Sequence, residues 1–305
     1  MSKQSQLTAA LQIEQIDFTC GEPLAAHASF RIGGPADWLV RPDTAEKLCR
    51  AVALCREYDI PYYLLGNGTN ILFADAGYRG AVIDESALTP DIRCAQEGDG
   101  TCITVSAGCS LAKLCLFARD RALSGLEFAF GIPGTVGGAV YMNAGAYGGE
   151  MQQVLVSAQV LEADGTVHCV PAEALELRYR HSRLEETGGC VLAATVRLHP
   201  GDKAAIAARM DEVMQARRDK QPLDKPSAGS TFKRPVGAFA AALIDQCGLR
   251  GYRVGGAAVS EKHCGFAVNL GGATCADFEA LCDQVCAIVK EKTGYQLEKE
   301  IRVVK

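Results

Sequence analysis

The chain has 305 residues, of which 48% are hydrophobic and 22% charged, and its formal net charge is −5. This length and composition are typical of a globular protein with about two or three domains and a substantial core. Because the net charge is negative, no global positive field favours binding to DNA or to an anionic membrane, and we expect neither partner.

The N-terminal sequence MSKQSQLTAALQIEQIDF has no apolar stretch flanked by basic residues, so we expect neither a signal peptide nor a transmembrane segment there. No run in the chain approaches the ~20 apolar residues that cross a bilayer. These patterns predict a cytoplasmic protein.

The first predicted unit is a compact α/β arrangement. Residues 43–58 have helical periodicity, and Asp43 with Glu46 can form a capping box at the start. Apolar strands are predicted at 60–65 and 81–84.

A second unit begins near residue 95. The sequence predicts a strand at 102–108, then a helix at 111–123 with Ser110 as its N-cap and Gly125 marking its end. A hairpin that turns at Asp164-Gly165 and a strand at 190–198 complete this unit.

A third unit follows residue 199. Helices are predicted at 203–219 and from Thr274, with Asp277 in its first turn, to Gly294. A last strand is predicted at 295–304. The buried stripe of the second helix is predicted to be Phe278, Leu281, Val285, Ile288 and Val289.

Fourteen cysteines are scattered along the chain without a C-x-x-C pair. Cys49 and Cys55 share one helical pattern, and so do Cys282 and Cys286. At such positions cysteine acts as a small buried hydrophobe, and we expect no metal site. A redox or zinc role is the alternative.

Two glycine-rich segments stand out, GNGTN (66–70) and GIPGTVGGAVYMNAGAYGG (131–149). The first is neither a G-x-G-x-x-G fingerprint nor a Walker A loop. Main-chain N–H groups in such turns form nests for phosphate oxygens, and two of them can hold an elongated ligand such as a dinucleotide. The alternative is a pair of unrelated tight turns.

A series of motifs makes the interpretation specific. They occur in order from about residue 18 onward and cover nearly the whole chain. The chain thereby closely resembles the UDP-N-acetylenolpyruvoylglucosamine reductase family, flavoenzymes of peptidoglycan precursor synthesis. The motifs are RIGG (31–34), LLGNGTNI (64–71), GLEFAFGIPGTVGGAVYMNAGAYGGE (125–150), LRYRHS (177–182), RRDKQPLDKPSAGSTFKRP (217–235), AAVSEKHCGFAVN (257–269) and LEKEIRV (297–303).

The resemblance implies an α+β fold with an FAD-binding region of the vanillyl-alcohol-oxidase type, at about 31–197. Its two subdomains would be residues 1–94 and 95–199, and residues 200–305 would form an α+β substrate-binding domain. It also implies non-covalent FAD. The implied FAD-binding residues are Arg31, Ile32, Gly66, Asn67, Gly68, Thr69, Asn70, Pro133, Gly134, Thr135, Gly137, Gly138, Asn143, Gly145, Ala146 and Tyr147.

The family reduces an enolpyruvyl ether to a lactyl ether, with NADPH as co-substrate. Hydride addition pushes negative charge toward the substrate carboxylate, so the reaction needs a cation, a further polar group and a proton donor. By resemblance these are Arg180, Glu300 and Ser230. Taken alone, each has a plainer interpretation. Arg180 would be a surface or salt-bridge arginine and Ser230 a turn serine, while Glu298 and Glu300, which alternate along the last strand, would form a solvated face.

The substrate is expected to be UDP-N-acetylglucosamine enolpyruvate, without an obligate protein partner. Lys220, Lys233 and Arg234, with Tyr179, are the candidates to bind it, and a solvated basic cluster is the alternative. One branch of the family has a longer insertion with a clamping tyrosine after the YR motif. Only residues 181–190 separate that motif from the next strand here, so the chain resembles the shorter branch.

Two rival functions are a different FAD-dependent oxidoreductase of the same fold and a non-enzymatic nucleotide-binding module. Oxidases of this fold often tether flavin through a His or Cys on the phosphate loop, and GNGTN has neither. A simple binder would not require the ordered YRHS, GSTFKRP and EKEIR motifs.

Overall fold

A computed structural model describes residues 2–98 and 100–305. The chain forms two compact units, each built from several stretches of sequence. Unit 1 comprises Met1–Thr19, Trp38–Asn67 and Gly80–Ala216, and unit 2 comprises Cys20–Asp37, Gly68–Arg79 and Arg217–Lys305. Each unit has its own apolar core. The division into three domains at residues 94 and 199 stays a prediction.

The helices are distributed among the strands of the described residues. They are α1 (Lys3–Ile13), α2 (Ala45–Glu57), α3 (Leu111–Asp120), α4 (Val136–Tyr141), α5 (Leu184–Thr187), α6 (Lys203–Lys220), α7 (Ala240–Gln246) and α8 (Cys275–Thr293). In the part of the chain that the structure describes, no helix is both long and apolar enough to cross a membrane.

The strands of the first half are β1 (Asp17–Pro23), β2 (Pro35–Arg41), β3 (Tyr62–Leu65), β4 (Ile71–Phe73), β5 (Tyr78–Asp84), β6 (Ile92–Glu97), β7 (Gly100–Ser106), β8 (Leu123–Ser124), β9 (Gly145–Ala146) and β10 (Gly149–Glu150). Those of the second half are β11 (Leu155–Leu161), β12 (Val167–Pro171), β13 (Cys190–Pro200), β14 (Arg253–Val254), β15 (Ala257–Val259), β16 (Ala267–Asn269) and β17 (Arg302–Val304).

The largest sheet lies in unit 1 and has the order β12-β11-β13-β7-β6, with β8 paired to β13. Its neighbouring strands are antiparallel. A four-stranded sheet has the order β1-β2-β5-β3, and β3 runs parallel to β5. Gly66 of the first glycine-rich segment follows β3 directly, and α4 of the second segment packs on β13.

Unit 2 contains the antiparallel sheet β14-β15-β16 and the parallel pair β4 and β17. Helix α8 covers its core, where the rings of Phe30 and Phe278 meet edge to face at 5.3 Å between centroids. The pairing of β4 with β17 brings the GNGTN end of β4 beside the C-terminal motif. This arrangement positions the site residues of unit 2.

Most predicted elements are confirmed, with shifts at their ends. The helix predicted at 43–58 is α2, but its N-cap is Thr44, whose hydroxyl accepts from Lys47 N, and Asp43 pairs with Lys47 instead. Ser110 caps α3 as predicted. Thr274, Asp277 and Gly294 cap α8 as predicted, and Ile288 of its stripe is half-buried rather than buried.

Three predictions of secondary structure are wrong. Helix α3 ends at Asp120 rather than near Gly125, because Ala122 has a positive φ and Leu123–Ser124 pair with β13. The last strand covers only Arg302–Val304 rather than 295–304. The second glycine-rich segment is not all loop, since its middle forms α4 with Thr135 as N-cap.

The cysteines do not all fit the expectation of buried hydrophobes. Burial raises the pKa of the Cys55 thiol to about 12, as expected for a residue that only packs. In contrast, Cys20, Cys94 and Cys169 are exposed, so the prediction is wrong for those three.

Candidate functional site

The start of the first glycine-rich segment, Gly66 and Asn67, meets the second segment within unit 1. The Asn67 side-chain amide donates to the Pro133 carbonyl at 3.0 Å. The second segment is also fixed to the start of α3 and the residues just before it, because Gly134 O accepts from Leu111 N at 3.0 Å and Cys109 O accepts from Val136 N at 2.8 Å. The sequence prediction that one ligand contacts both segments therefore has a geometric basis.

A buried carboxyl group lies behind both segments. Glu85 is 5% exposed, and its Oε1 accepts from Thr135 Oγ1 at 3.1 Å. The same Thr135 oxygen accepts from Gly138 N at 3.2 Å. A Cβ atom at Gly66 would lie 3.1 Å from Glu85 Oε1, and one at Gly137 would lie 2.9 Å from it. A Cβ atom at Gly66 would also lie 2.7 Å from Thr135 Oγ1, and one at Gly137 would lie 2.9 Å from Ala107 Cβ, so Glu85 is one of several close neighbours at both glycines.

Gly134 is a different case. A Cβ atom there would meet nothing closer than Leu111 Cδ1, at 3.9 Å, and its φ is not positive. The fold of unit 1 therefore does not require glycine at this position. An open main-chain cradle of this kind fits a cofactor that approaches the backbone closely, as a dinucleotide diphosphate does.

Arg180 lies in a tight turn of unit 1. Arg178 and His181 form both main-chain hydrogen bonds of the turn, at 3.2 and 3.0 Å, and Arg180 adopts a φ of +55°. Its Nη2 donates to the Gly145 carbonyl at 3.2 Å, and its guanidinium lies 5.1 Å from the Tyr179 ring centroid. The predicted catalytic arginine and the predicted flavin-side segment are therefore neighbours.

Asn143 fixes this turn. It is fully buried, its Nδ2 donates to Arg178 O at 3.2 Å, and its Oδ1 accepts from Gln152 N at 2.9 Å. Ser182 adds a second connection, since its hydroxyl donates to Tyr141 O at 2.7 Å. The Asn143 side chain is thus engaged in hydrogen bonds within the protein, and only its main chain is available to a ligand.

The segment from Asn143 continues into a two-stranded ribbon. Ala146 pairs with Gly149, and Tyr147 at the tip has a φ of +50° and is 36% exposed. A Cβ atom at Gly145 would lie 2.7 Å from Gly149 O, so glycine is needed there for the ribbon. Tyr147 and the exposed faces of this ribbon remain available to a ligand.

In unit 2, Ser230 and Glu300 lie on adjacent main-chain segments. Glu300 N donates to Thr231 O at 2.8 Å, and Thr231 N donates to Gly265 O at 2.8 Å. Asn70 joins this group, because its Nδ2 donates to Glu300 O at 3.3 Å. The predicted proton donor, the predicted glutamate and the end of GNGTN thus come together.

The two glutamates of the C-terminal motif have different surroundings. Glu300 is 9% exposed, whereas the Glu298 side chain is 70% exposed and pairs with Lys233. The interpretation of both as a solvated face is therefore wrong for Glu300. A buried carboxyl beside the Ser230 segment is the expected form of a functional group.

The remaining residues of GNGTN and RIGG also lie in unit 2. Gly68 has a φ of +60°, and a Cβ atom there would collide with the His27 carbonyl, so its glycine is structural. Arg31 has a φ of +55°, and Asn269 donates to the carbonyl before it, Phe30 O, at 3.1 Å. Ile32 is buried, and Thr69 O faces Gly229.

The side chains of the three candidate substrate-binding cations have different surroundings. Lys233 is ion-paired with Glu298, and Arg234 stacks on the Phe239 ring at 4.8 Å. Lys220 ends α6 and is exposed. Burial lowers the pKa of His263, and the charges of Arg250 and Lys220 lower it further.

Sequence reasoning did not identify Glu85 or the positioning roles of Asn143, Ser182 and Asn269. Glu85 carried one weak signal, because an acidic pair, Asp84-Glu85, directly follows the apolar run of β5. For the others, only the fold shows which main-chain groups they hold.

Two domain families match the chain. Residues 36–170 match a family described as FAD binding domain. Residues 221–304 match the C-terminal domain of UDP-N-acetylenolpyruvoylglucosamine reductase.

Similar proteins extend over nearly the whole chain. The UDP-N-acetylenolpyruvoylglucosamine reductase of Lachnoclostridium phytofermentans is 48% identical, over 94% of this chain and 92% of its own. That of Agathobacter rectalis is 46% identical, over 96% of both chains. The crystal structure of the reductase from Thermus caldophilus is 38% identical with a TM-score of 0.77, and covers 95% of this chain and 99% of its own. The α+β fold class with an FAD-binding region is thus confirmed.

Proposed function

Because the chain belongs to the UDP-N-acetylenolpyruvoylglucosamine reductase family, we propose that it reduces UDP-N-acetylglucosamine enolpyruvate to UDP-N-acetylmuramate. It is thus an oxidoreductase of peptidoglycan precursor synthesis, acting on a CH–CH bond. The observation that carries this proposal is the near full-length similarity, which spans an FAD-binding domain and the reductase C-terminal domain in one chain. The electron donor is NADPH, and the enzyme works in the cytoplasm without an obligate partner.

The first part of the proposal is non-covalent FAD. When bound, FAD supplies the hydride that reduces the substrate double bond. The residues that hold it are the main chains of 66–70 and 133–138, with 31–32 and 143–147. The open space beside Gly134 and the Asn67–Pro133 hydrogen bond support this assignment. GNGTN offers no side chain for a covalent tether.

The second part concerns negative charge on the substrate. Its double bond is conjugated to a carboxylate, so hydride addition at the terminal carbon makes an enolate-like intermediate. Arg180 stabilises that charge with its guanidinium, and Glu300 acts with it. Support comes from the fixed turn that holds Arg180 and from the burial of Glu300.

Ser230 then donates the proton that completes the reduction. A serine hydroxyl is a weak acid, but its acceptor here is a strongly basic carbanion-like carbon. The half-buried side chain of Ser230 lies on a segment hydrogen-bonded to the Glu300 segment, which supports this role.

The nucleotide part of the substrate needs positive charge. Lys220 and Arg234 bind the diphosphate, with Lys233 and Tyr179 as further contacts. Lys220 is exposed at the end of α6, and Arg234 is oriented by the Phe239 ring, so both present charge to solvent. We assign the two FAD-binding subdomains to residues 1–94 and 95–199, and the substrate-binding domain to residues 200–305.

The test is reconstitution of the reaction. Purified protein is loaded with FAD, mixed with NADPH and UDP-N-acetylglucosamine enolpyruvate, and followed by the loss of nicotinamide absorbance. UDP-N-acetylmuramate is identified by mass. Oxidation of NADPH that depends on the enolpyruvyl substrate is the expected result. Flavin reduction without any substrate-dependent reoxidation would overturn the proposal in favour of another flavin-dependent oxidoreductase.

A further inference from the structure

Glu85 is a buried acid that the proposed reaction does not use. It follows β5 directly, in the turn that begins with Asp84, and is 5% exposed. The side chain reaches between the two glycine-rich segments, against Gly66 on one and Thr135 and Gly137 on the other. Unpaired buried charge is expensive, so a carboxyl group in this place requires an explanation.

The contacts of Glu85 belong to the main chain that holds the FAD diphosphate in the proposed function. Its Oε1 accepts from Thr135 Oγ1 at 3.1 Å, and that oxygen accepts from Gly138 N at 3.2 Å. The same Oε1 atom would lie 3.1 Å from a Cβ atom at Gly66 and 2.9 Å from one at Gly137, so the carboxyl group is in close reach of both segments. A change in its charge is therefore felt directly by both segments.

We propose that Glu85 is a positioning residue that holds the two glycine-rich segments together and is neutral when the FAD diphosphate is bound, so that FAD binding is accompanied by proton uptake. This inference rests on the proposed function, because it requires FAD at these segments. A carboxylate and a diphosphate separated only by the main chain repel each other, and the protonated acid removes that repulsion.

The surroundings of Glu85 favour the neutral form. Burial raises its pKa to about 7, the Thr135 hydrogen bond opposes that rise, and the charge of Asp84 adds to it. Asp84 itself accepts from Ser86 N and Oγ at 2.9 and 2.6 Å. On β13, Cys190 also interacts with Glu85, but burial raises its thiol pKa well above the ordinary value, so it is uncharged. The acid therefore titrates in the range where FAD binding is measured.

The experiment measures FAD binding to full-length apoprotein by calorimetry from about pH 6 to about pH 9. Each pH is run in two buffers of different ionisation enthalpy, which gives the number of protons taken up. If bound FAD raises the Glu85 pKa by one unit, affinity falls about tenfold across this range. Glu85→Gln keeps an acceptor for Thr135 but cannot titrate, and we expect its affinity to be nearly independent of pH. Glu57→Gln, an exposed glutamate of α2, is the control and should behave as wild type.

The outcomes separate this inference from the proposed function. Wild-type protein that binds FAD without proton uptake, or a Glu85→Gln variant that keeps the wild-type pH dependence, overturns the inference alone. A wild-type chain that binds no FAD at any pH overturns the proposed function and this inference with it. If Glu85→Gln does not fold, Thr135→Val decides. Without the hydrogen bond from Thr135, the pKa of Glu85 rises further. The fall in FAD affinity must then occur at a higher pH than in wild type. An unchanged midpoint of the affinity–pH curve overturns the inference.

Discussion

The side chain of Asn143 donates to the main-chain carbonyl of Arg178 at 3.2 Å. This hydrogen bond connects the second glycine-rich segment to the turn that carries Arg180. Asn143 is fully buried and also accepts from Gln152 N. The orientation of the proposed catalytic arginine therefore depends on an amide that does not touch the substrate.

Asn143→Ala should slow the reduction of substrate more than it weakens FAD binding. The variant leaves Gln152 N without its acceptor, which costs about 1–3 kcal/mol, and it removes one of the two donors to Arg178 O, so the Arg180 turn is held less firmly. We expect a fall in kcat of about tenfold or more, measured in steady state with the FAD content determined by absorbance.

The control for Asn143 is Thr8→Val. It removes the acceptor of Trp38 Nε1 in the same unit, at 3.1 Å, far along the chain from the Arg180 turn. It should lower stability without a comparable fall in kcat. Equal losses of kcat in both variants would mean that Asn143 acts only through stability.

Gly134→Val and Gly68→Val should both lose FAD, but for different reasons. At Gly134 a side chain meets open space, so the apoprotein should keep its wild-type unfolding midpoint while FAD affinity falls. At Gly68 the positive φ and the His27 carbonyl should also lower the unfolding midpoint.

Thermal unfolding of the apoproteins and FAD titration distinguish the two glycine variants. Ala163→Val, an exposed position in the turn of the β11–β12 hairpin, is the control for the added bulk. Full FAD affinity in Gly134→Val would remove this glycine from the cofactor site.

Local sequence signals predicted the elements well where side chains alone decide them. Thr274, Asp277 and Gly294 fix both ends of α8, because caps act within a few residues. The end of α3 was not predictable in this way, since Leu123 and Ser124 leave the helix to pair with His199 and Pro200. Strand pairing between distant residues overrides the helical periodicity there.

The candidate site was predicted by motifs, and its supporting residues were not. Glycines 66, 68, 134 and 137 look alike in the sequence. Gly68 has a positive φ and faces the His27 carbonyl, Gly66 and Gly137 pack against Glu85 and its neighbours, and Gly134 has open space beside it. The difference depends on what lies opposite each main-chain position. A single sequence does not contain that information, and so Glu85 was not identified before the fold was known.

The apoprotein should lose stability as the pH rises through neutrality because of Glu85. Burial raises the pKa of this group from 4.5 to about 7 in the folded protein. At pH values between these two, the folded state therefore binds more protons than the unfolded chain. This contribution is fully present below about pH 4.5 and is lost as the pH rises through about 7. Between about pH 5.5 and 8 the loss should be about 2 kcal/mol in wild type.

Urea unfolding of the apoproteins at those two pH values measures this contribution. Glu85→Gln should lack the additional loss, while Glu57→Gln should retain it. An equal pH dependence in wild type and Glu85→Gln would show that the carboxyl group is not protonated in the folded protein.

Lys220→Ala and Arg234→Ala should raise the KM for the UDP-sugar by about tenfold or more while kcat changes less. Contacts to a diphosphate remote from the double bond are made equally in the ground state and the transition state, so they act on binding. Steady-state kinetics with NADPH in excess measure both constants, and Lys290→Ala on α8 is an exposed control. A wild-type KM in both variants would exclude these cations from the substrate site.

Ser230→Ala should separate the two halves of the reaction. The hydroxyl is proposed to donate a proton only after hydride has reached the substrate, so reduction of the bound flavin by NADPH should proceed at a near-normal rate. Reoxidation by UDP-N-acetylglucosamine enolpyruvate should fall by about 10²–10⁴-fold, the usual loss for a general acid. Stopped-flow absorbance of the flavin records each half by itself.

The control for small changes of main-chain geometry is Ser227→Ala, three residues earlier in the same segment. Ser230→Cys should restore part of the rate, because a thiol also donates a proton. Reoxidation at the wild-type rate in Ser230→Ala would mean that another group donates the proton. The next residue to mutate would then be Glu300, which is buried and whose main-chain N–H donates to Thr231 O.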